Sequence, residues 1–424
     1  MKLVVEKSSS IKGELKAPPS KSYTHRGVII SSLAKGNSLL RNPLESEDTW
    51  ASLESCRLMG TKIDQGTGHW QVEGTNGKLK TPTNVVDVKN SGTTLRLMTS
   101  VAALAPDYTI LSGDDSLRNR PMQDLLDSLQ GLNVNAFSSR MNGKPPIIVE
   151  GGFKGGFTTI RGKVSSQFIS SILIAAPLSQ EGVELKVEGE FISRPYVDMT
   201  LDVMEKFKVK VDYDSNKSIF WVEPQYYQGK DYTIEGDYSS ASYLVSAASI
   251  LKGNLTIKNL FQDSKQGDKL ILNIVKEMGA SVKTFKDKVK ISSTGELEGI
   301  EVNLKNAPDL LPTVASLGAV AKGTTKISGV EHARYKETDR IHNCAQELAK
   351  LGLKVEQKAD GMIIKGGVQS GVVNSHGDHR LVMALSLIGL KVGIIIENGH
   401  VYDVSFPDFP QVMTSLGGQM KLQA

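Results

Sequence analysis

Polar residues suited to binding phosphate or carboxylate groups recur along this sequence of 424 residues, each time just before an apolar segment of helical length. The six openings are Lys21-Ser22-Tyr23-Thr24, Ser91-Gly92-Thr93-Thr94, Ser165-Ser166-Gln167, Ser239-Ser240-Ala241-Ser242, Pro308-Asp309-Leu310 and Gly377-Asp378-His379. A helix N-terminus presents unpaired backbone N–H groups and the positive end of the helix dipole, so anions bind there readily. The pattern therefore predicts several helix ends that can bind multiply charged anions.

Cationic side chains gather at or near these openings. Any one lysine or arginine is usually a solvated surface charge, but arginines buried near helix starts would be costly without an anion. Two phosphate groups of about −1.5 to −2 each, with a carboxylate or two, would need roughly five or six cations. The candidates are Lys21, Arg26, Arg120, Lys336, Arg340 and Arg380. This set predicts a shared cleft for small, multiply charged metabolites.

Two acids near these cations could transfer protons. Asp309 lies at a predicted helix start, and Glu337 directly follows Lys336. Carboxylates act as acid and base when their surroundings separate their pKa values. Capping a helix or pairing with arginine is the commoner role of an isolated Asp or Glu, so both roles stay open at this point.

The openings belong to a cassette that recurs six times. Counted from residues 21, 91, 165, 239, 309 and 378, the steps are 70, 74, 74, 70 and 69 residues. Each copy continues through a strand-like run into a second amphipathic helix that usually ends at glycine, which is typical of α/β folds. The alternative is an ordinary α/β protein whose helices are evenly spaced by chance.

Six units divide most simply into two domains of three. Turn-rich segments at Ala17–Ser20 and Tyr226–Asp237 are the candidate boundaries. With both as hinges, the chain crosses between domains twice. We expect one domain to comprise residues 1–18 and 237–424 and the other residues 19–236, with the active site in the cleft between them.

The composition is that of a globular enzyme. Hydrophobic residues make up 39% and charged residues 23%, which excludes a disordered, collagenous or coiled-coil chain. A formal net charge of +4 is too small and too dispersed to predict nucleic-acid binding. Cys56 and Cys344 lie far apart in apparent helices, so neither a disulfide framework nor a zinc site is expected. We expect a cytoplasmic location, because the first residues do not resemble a signal peptide and the most apolar stretch, 381–396, is too short to span a membrane.

Familiar cofactor and nucleophile motifs are absent. No phosphate-binding P-loop or G-x-S-x-G elbow occurs, and no G-x-G-x-x-G opens a helix after a strand. His376 and His379 have an H-x-x-H spacing but lack an evident third ligand. These absences leave a nicotinamide or flavin Rossmann site unsupported, and we do not expect a metal at the two histidines.

Nine short strings resemble the EPSP synthase family of enolpyruvyl transferases. In chain order they are Pro19–Arg26, Asn90–Arg96, Arg118–Pro121, Val164–Phe168, Ser193–Tyr196, Gly236–Ala241, Tyr335–Arg340, Asp378–Arg380 and Phe406–Asp408. Each string is moderately specific, whereas nine in the same order along the whole chain leave little room for coincidence.

The resemblance implies an inside-out α/β fold of two domains, each with three β-α-β-α-β-β units around a pseudo-threefold axis. It implies transfer of the enolpyruvyl group of phosphoenolpyruvate to the 5-hydroxyl of shikimate 3-phosphate, releasing inorganic phosphate, on the route to aromatic amino acids. The partners would be these small-molecule substrates, without cofactor, metal, nucleic acid or membrane, and we expect a monomer.

The matched motifs also imply site residues. Around phosphoenolpyruvate they place Lys21, Gly92, Arg120, Gln167, Lys336, Arg340 and Arg380. Around shikimate 3-phosphate they place Lys21, Ser22, Arg26, Ser165, Ser166, Gln167, Ser193, Tyr196, Asp309 and Lys336. As hypotheses, we assign Asp309 to the hydroxyl proton, Glu337 to the proton that C3 gains, and Lys336 to acid catalysis or charge stabilisation. Domain closure should exclude water and align the substrates.

The sequence departs from the family pattern at two positions. The family usually carries a lysine two residues before Phe406, where this chain has Val404. One cation near phosphoenolpyruvate is then missing or supplied by Arg118 or Lys391. His332 stands where the family often has asparagine, which leaves its contact with the shikimate phosphate open. Gly92 is the small residue expected where glyphosate competes with phosphoenolpyruvate, so we expect glyphosate to inhibit. Because of Val404, the sequence does not predict how strong that inhibition is.

Two rival functions can be weighed against this resemblance. The UDP-N-acetylglucosamine enolpyruvyl transferase shares the fold and the donor but typically carries a reactive cysteine in the loop that corresponds to 113–120, and here that loop has none. A protein that binds phosphoanions or RNA ends without transfer chemistry is the other rival. Asp309 and Glu337 count against it, because carboxylates repel a polyanion.

Overall fold

The chain divides into two compact units in a computed structural model that describes residues 1–424. The C-terminal unit comprises Met1–Pro18 and Glu235–Ala424, and the N-terminal unit comprises Pro19–Ile234. The first two strands, β1 (Lys2–Glu6) and β2 (Ser10–Lys16), therefore belong with the second half of the chain.

The N-terminal unit contains six helices and twelve strands. The helices are α1 (Lys21–Leu33), α2 (Glu47–Leu58), α3 (Gly92–Ala102), α4 (Gln123–Gly131), α5 (Ser166–Ala175) and α6 (Arg194–Lys206). The strands are β3 (Asn37–Arg41), β4 (Lys62–Gly66), β5 (His69–Glu73), β6 (Val86–Asp87), β7 (Thr109–Ser112), β8 (Ala136–Ser138), β9 (Ile147–Val149), β10 (Gly156–Arg161), β11 (Val183–Glu188), β12 (Asp212–Asp214), β13 (Ile219–Val222) and β14 (Asp231–Thr233).

The remaining elements of the C-terminal unit follow in the same order. The helices are α7 (Tyr238–Ile250), α8 (Ile271–Glu277), α9 (Leu311–Val320), α10 (Arg340–Lys350), α11 (His379–Val392) and α12 (Phe409–Ser415). The strands are β15 (Lys252–Lys258), β16 (Ser281–Thr284), β17 (Lys288–Ser293), β18 (Glu301–Asn303), β19 (Thr324–Ser328), β20 (Lys354–Lys358), β21 (Gly361–Lys365), β22 (Gly371–Asn374), β23 (Ile394–Glu397) and β24 (Gln419–Gln423).

All six sheets have four strands and the same pairing. In the N-terminal unit the orders are β14-β3-β5-β4, β6-β7-β9-β8 and β10-β11-β13-β12. In the C-terminal unit they are β2-β15-β17-β16, β18-β19-β21-β20 and β22-β23-β1-β24. In each sheet the first pair is parallel and the other two pairs are antiparallel. All six sheets thus share one strand pairing. This excludes the alternative of an ordinary α/β protein whose helices are evenly spaced by chance.

Helices fill the interior of each unit. In α7 and α11 almost every residue is buried, and their sequences are apolar or small on all sides, which is typical of a helix surrounded by protein. Helices α9 and α11 pack together and both contact α7, while α3 packs on α5 and α1 in the other unit. The second helices, such as α4 and α10, have one buried apolar stripe. The predicted inside-out α/β fold with three repeat units in each domain is confirmed.

None of these helices has the length and apolar character needed to cross a membrane.

Candidate functional site

In the N-terminal unit the predicted openings are helix starts. Ser20, Ser91 and Ser165 are the N-caps of α1, α3 and α5, and each hydroxyl accepts a hydrogen bond from a backbone N–H of the first turn. Such caps fix the helix ends and leave the next amides available. The side chain of Gln167, in α5, donates to the hydroxyl of Thr93, in α3, at 3.0 Å. The starts of α3 and α5 are therefore adjacent.

Lys21 is held by a carboxylate that sequence reasoning missed. Its Nζ donates to Oδ2 of Asp48 at 2.6 Å. Burial alone would raise the pKa of Asp48, but Lys21 and the neighbouring His25 outweigh it and hold that pKa well below its usual range. Asp48 is an acid in the first turn of α2, where the sequence indicates only a favourable helix-dipole contact. The sequence therefore did not indicate that Asp48 pairs with Lys21.

His25 extends this contact into the protein. Its Nε2 is 3.8 Å from Oδ2 of Asp48, and its Nδ1 is 2.8 Å from the hydroxyl of Ser52, which in turn is 2.7 Å from the hydroxyl of Thr94. Burial lowers the pKa of His25, and Asp48 reverses only part of that shift. The imidazole is therefore neutral at pH 7, and it lies between Asp48 and the hydroxyl groups of Ser52 and Thr94.

Arg120 approaches the start of α3 closely. It follows the 3₁₀ turn Leu117–Asn119, and its Nη2 donates to Oδ1 of Asn90 at 2.8 Å. A Cβ atom placed on Gly92 would lie 2.5 Å from Nη1 of Arg120. Only glycine at position 92 permits this close approach of Arg120, so the guanidinium lies against the first turn of α3.

Gln167 is fixed from both sides. Its Oε1 accepts from Nη1 of Arg96 at 2.7 Å while its Nε2 donates to Thr93. The guanidinium of Arg96 lies 5.5 Å from the ring centroid of Phe168, within the range of a cation–π contact. Arg96 therefore fixes the orientation of the Gln167 amide, a function that the motif match did not imply.

Arg26 is buried, with 1% of its surface exposed. It donates to the hydroxyl of Thr200 at 2.8 Å and to the carbonyl oxygens of Ser22 and Tyr196, each at 2.9 Å. No carboxylate is among these acceptors, and burial lowers its pKa to about 10. Arg26 thus connects the backbones of Ser22 and Tyr196. Ser193, the residue just before α6, has a left-handed φ of 53°.

A second cluster lies in the C-terminal unit, around Arg340. This guanidinium is 1% exposed and donates to three carboxylates: Oδ1 of Asp309 at 2.9 Å, Oε2 of Glu337 at 2.5 Å and Oδ2 of Asp378 at 2.8 Å. Burial would lower its pKa, but Asp378, Glu337 and Asp309 together raise it. Arg340 is a permanent cation that holds three acids in fixed positions.

Asp309 bridges the cations of this cluster. Its Oδ2 accepts from Nη2 of Arg380 at 2.9 Å, and Nζ of Lys336 is 3.5 Å from its Oδ1. Asp378 caps α11 by accepting from the backbone N–H of Arg380 at 2.8 Å. Lys336, Arg340 and Arg380 thus surround Asp309, with Glu337 one contact away.

The two positions that depart from the family pattern lie in the same unit. Val404 ends the 3₁₀ turn Val401–Val404 and is half-buried. Burial and, to a lesser degree, Lys336 lower the pKa of His332 to about 4, although Asp309 acts in the opposite direction. His332 is therefore a neutral group beside the second cluster.

Lys391, which we suggested in place of the missing cation, lies away from the cluster around Arg340. Its Nζ donates to the carbonyl oxygens of Ile250 and Gly295, at 3.1 and 3.0 Å. It lies eleven residues beyond Arg380 on α11, about 16 Å away along the helix axis. Arg118 is bound locally to the carbonyl of Gly113 and to Asp115, which gives it a partner of its own.

The predicted residues thus fall into two groups. The N-terminal unit holds Lys21, Ser22, Arg26, Gly92, Arg120, Ser165, Ser166, Gln167, Ser193 and Tyr196. The C-terminal unit holds Asp309, Lys336, Glu337, Arg340 and Arg380. Ion pairs connect all five of the second group: Lys336, Arg340 and Arg380 each pair with Asp309, and Arg340 also pairs with Glu337.

No group of three or more His, Cys, Asp or Glu side chains is arranged to hold a metal ion. His376, from the H-x-x-H spacing, bonds Oε1 of Glu347 at 2.6 Å instead. Both cysteines are buried free thiols.

Comparisons with known proteins agree over the whole chain. The model of the family "EPSP synthase (3-phosphoshikimate 1-carboxyvinyltransferase)" matches residues 5–413. A 3-phosphoshikimate 1-carboxyvinyltransferase of Methanothermobacter thermautotrophicus is 62% identical over 422 residues, covering 100% of both chains. The enzyme of the same name from Methanosphaera stadtmanae is 54% identical, covering 98% of this chain and 99% of the relative.

Solved structures give the same answer. The EPSP synthase of Acinetobacter baumannii superposes with a TM-score of 0.83 at 26% identity, covering 99% of this chain and 100% of its own. The enolpyruvyl transferase NikO of Streptomyces tendae shares the fold, with a TM-score of 0.78 at 15% identity and coverage of 99% and 98%.

Proposed function

The chain belongs to the EPSP synthase family, and on this premise we propose that the two clusters described above bind its two substrates and carry out the reaction between them. The reaction is transfer of the enolpyruvyl group of phosphoenolpyruvate to the 5-hydroxyl of shikimate 3-phosphate. Its products are 5-enolpyruvylshikimate 3-phosphate and inorganic phosphate. The acceptor comes from the shikimate pathway, which leads to aromatic amino acids.

One observation carries the assignment of the catalytic centre. Asp309 lies among Lys336, Arg340 and Arg380, and Glu337 shares Arg340 with it. Three cations beside two acids can neutralise a phosphate and a carboxylate while leaving groups that exchange protons. Asp309 and Glu337 accept hydrogen bonds from Arg340 and Arg380. We propose that substrate anions compete for Arg340 and Arg380 and thereby release Asp309 and Glu337 for proton transfer.

The N-terminal cluster would supply further anion contacts. Arg120 and Lys21 are cations at the starts of α3 and α1, where the helix dipole also favours negative charge. The hydroxyls of Ser165, Ser166 and Ser193 and the buried guanidinium of Arg26 suit the hydroxyls and phosphate of shikimate 3-phosphate.

The proposed mechanism assigns each proton. Asp309 accepts the proton of the 5-hydroxyl as the hydroxyl oxygen attacks C2 of phosphoenolpyruvate. Glu337, protonated from solvent once substrate anions replace it on Arg340, donates a proton to C3, so that a tetrahedral ketal forms. Glu337 then takes a proton back from C3 as phosphate leaves C2, which restores the double bond in the product. Lys336 and the arginines stabilise the negative charge on the phosphate and carboxylate oxygens throughout.

Phosphate release tests the reaction directly. Purified protein incubated with shikimate 3-phosphate and phosphoenolpyruvate should release phosphate, and omission of either compound should abolish the signal. UDP-N-acetylglucosamine in place of shikimate 3-phosphate should give no phosphate. Phosphate from phosphoenolpyruvate alone, or with the nucleotide sugar, would contradict the proposal.

We expect Asp48 to affect activity because it positions Lys21. In Asp48→Asn the lysine loses its ionic partner, and we expect kcat/KM to fall about 10- to 100-fold, since a hydrogen bond to a charged group contributes about 1.5–3 kcal/mol. Asp202→Asn is a matched control, because Asp202 bonds Lys206 at the same 2.6 Å in α6. Steady-state kinetics of both variants decide the matter. Equal losses would show that Asp48 has no special role.

Gly92→Ala should move Arg120 without unfolding the protein. The new Cβ would meet the end of a flexible side chain, at 2.5 Å from Nη1, so Arg120 must swing aside. We expect the KM for phosphoenolpyruvate to rise about 10-fold, the effect of losing one charge-assisted hydrogen bond. The melting temperature should change little. An unaltered KM would mean that Arg120 does not bind this substrate.

Val404→Lys should restore a cation that the family usually has. We expect the native enzyme to bind phosphoenolpyruvate more weakly than the variant, whose KM should fall about 3- to 10-fold, corresponding to about 1 kcal/mol. Steady-state KM values for the two proteins test this. Val412→Lys, on the half-buried face of α12, is a suitable control. An unchanged or higher KM in Val404→Lys would overturn the idea.

Location and assembly are further proposals. We propose a cytoplasmic monomer that binds neither nucleic acid nor membrane. Light scattering after gel filtration tests the mass, for which one chain of 45.9 kDa is expected. Retention of RNA at 150 mM salt would contradict the absence of nucleic-acid binding.

A further inference from the structure

One buried acid beside the second cluster has no part in the mechanism above. Asp268 lies in the 3₁₀ turn Gly267–Leu270 just before α8, and 3% of its surface is exposed. Its Oδ2 accepts a hydrogen bond from the hydroxyl of Ser239, in the first turn of α7. Its Oδ1 is buried without a hydrogen-bond partner. An ionised carboxylate in this position would leave a charged oxygen without a donor, which is costly.

The charged groups around Asp268 come from three elements. Asp309 precedes α9, Arg380 lies in the first turn of α11 and Asp237 caps α7. The neighbour Lys269 gives no ion pair, because its ammonium donates to the carbonyl oxygens of Gln262 and Ser264. Asp268 therefore faces two acids and one cation.

These surroundings favour the protonated acid. Burial is the largest effect and Asp309 the next, and together with Asp237 they raise the pKa of Asp268 to about 7, against the opposing effects of Arg380 and Ser239. The geometry agrees with this direction, since a proton on the unpartnered oxygen removes the buried charge.

We propose that Asp268 is a positioning residue that holds a proton beside Asp309 and Arg380, and that it gains proton occupancy when an anion binds Arg380. The second half rests on the proposed function, in which Arg380 binds phosphoenolpyruvate. When Asp268 is neutral, Arg380 can interact with Asp309 and the substrate without competition from Asp268. Ionised Asp268 places another negative charge near the same guanidinium and competes with the substrate for it.

Proton binding and substrate binding are then linked. A bound anion partly cancels the charge of Arg380, a cation that opposes protonation of Asp268. Because linkage is reciprocal, protonation of Asp268 must strengthen anion binding by the same factor. The proton comes from solvent, and no bond other than O–H forms or breaks.

Unfolding at different pH values tests the first half without any substrate. Asp268→Asn keeps the shape of the side chain and an oxygen that can accept from Ser239. A carboxyl whose pKa is higher in the folded than in the unfolded chain stabilises the protein at low pH and loses that contribution as pH rises. The urea midpoint of the native protein should therefore fall, relative to that of Asp268→Asn, between about pH 4 and pH 7. Midpoints that stay parallel over this range would overturn the proposal.

The pH dependence of the KM for phosphoenolpyruvate tests the second half. Between pH 6 and pH 8 the KM of the native enzyme should rise about 3- to 10-fold more than that of Asp268→Asn, because a coupling of one pKa unit corresponds to tenfold in affinity. Titration of the substrate itself affects both proteins equally and cancels in the comparison. Asp263→Asn, in the exposed part of the same loop, should behave as the native enzyme. Identical pH profiles for native enzyme and Asp268→Asn would overturn the linkage.

Ser239→Ala provides a second variant. Loss of the hydroxyl removes a donor that stabilises ionised Asp268, so the rise in KM should move to higher pH. A rise that stays at the same pH would contradict the role of Asp268. Should no protein release phosphate from the two substrates, the proposed function has failed, and the urea measurements still decide whether Asp268 holds a proton.

Discussion

Replacement of Asp309 with asparagine is expected to lower kcat about 10²- to 10⁴-fold, the usual contribution of a positioned general acid or base. Asparagine keeps the size of the side chain and one oxygen that can accept from Arg380, while Arg340 keeps its other two carboxylate partners. It cannot accept the proton of the 5-hydroxyl. The loss should therefore appear in kcat, with smaller changes in both KM values.

Kinetics and thermal melting distinguish this role from a structural one. Arg340 keeps Glu337 and Asp378 in Asp309→Asn, so the variant should fold. Asp231→Asn is a matched control that removes the carboxylate partner of Arg41, a pair with a distance of 2.7 Å on the exposed surface. We expect kcat to be unchanged in the control. A kcat for Asp309→Asn within a factor of three of the native value would remove Asp309 from proton transfer.

Glu337→Gln is expected to lower kcat by a similar factor of about 10² to 10⁴, for a different step. Glutamine can still accept from Arg340, but it cannot donate a proton to C3 of phosphoenolpyruvate. Glu331→Gln is the control, because Glu331 is an exposed glutamate six residues earlier, at the start of the 3₁₀ turn Glu331–Tyr335. Only Glu337→Gln should lose activity.

Deuterium exchange separates the two acids. Reversible addition in D₂O should introduce deuterium at C3 of unreacted phosphoenolpyruvate, because the methyl group of the ketal loses any one of its three hydrogens on reversal. NMR of the vinyl protons follows the exchange. The residual exchange rate of Glu337→Gln should fall at least as far as its turnover. Exchange that persists at the native rate while turnover falls would assign the C3 proton to another group.

Both predictions depend on the arrangement that Arg340 imposes. Asp309, Glu337 and Asp378 come from three distant parts of the sequence, and each contacts a different edge of this one buried guanidinium. An arginine presents its donors in a fixed planar fork, which lysine cannot imitate. The spacing of the two acids that we propose as proton-transfer groups therefore follows from a side chain that need not itself transfer a proton.

The sequence by itself determined the architecture and predicted which residues to examine as site residues. Helices whose residues are apolar or small on all sides must be buried, and their regular recurrence required one supersecondary unit repeated six times. The polar openings predicted helix starts because Ser and Asp cap helices through local hydrogen bonds. These features can be predicted from the sequence, since they depend on neighbours within a few residues.

The tertiary structure decided which charged groups meet. Asp48 was inconspicuous as an acid in the first turn of α2, yet it holds Lys21 from 27 residues away. Lys391 was a plausible cation until the length of α11 separated it from Arg380 and two carbonyl oxygens bound it. Asp268 gave no signal at all. Ion pairing and desolvation depend on distance and burial in three dimensions, and neither quantity is determined by separation along the chain.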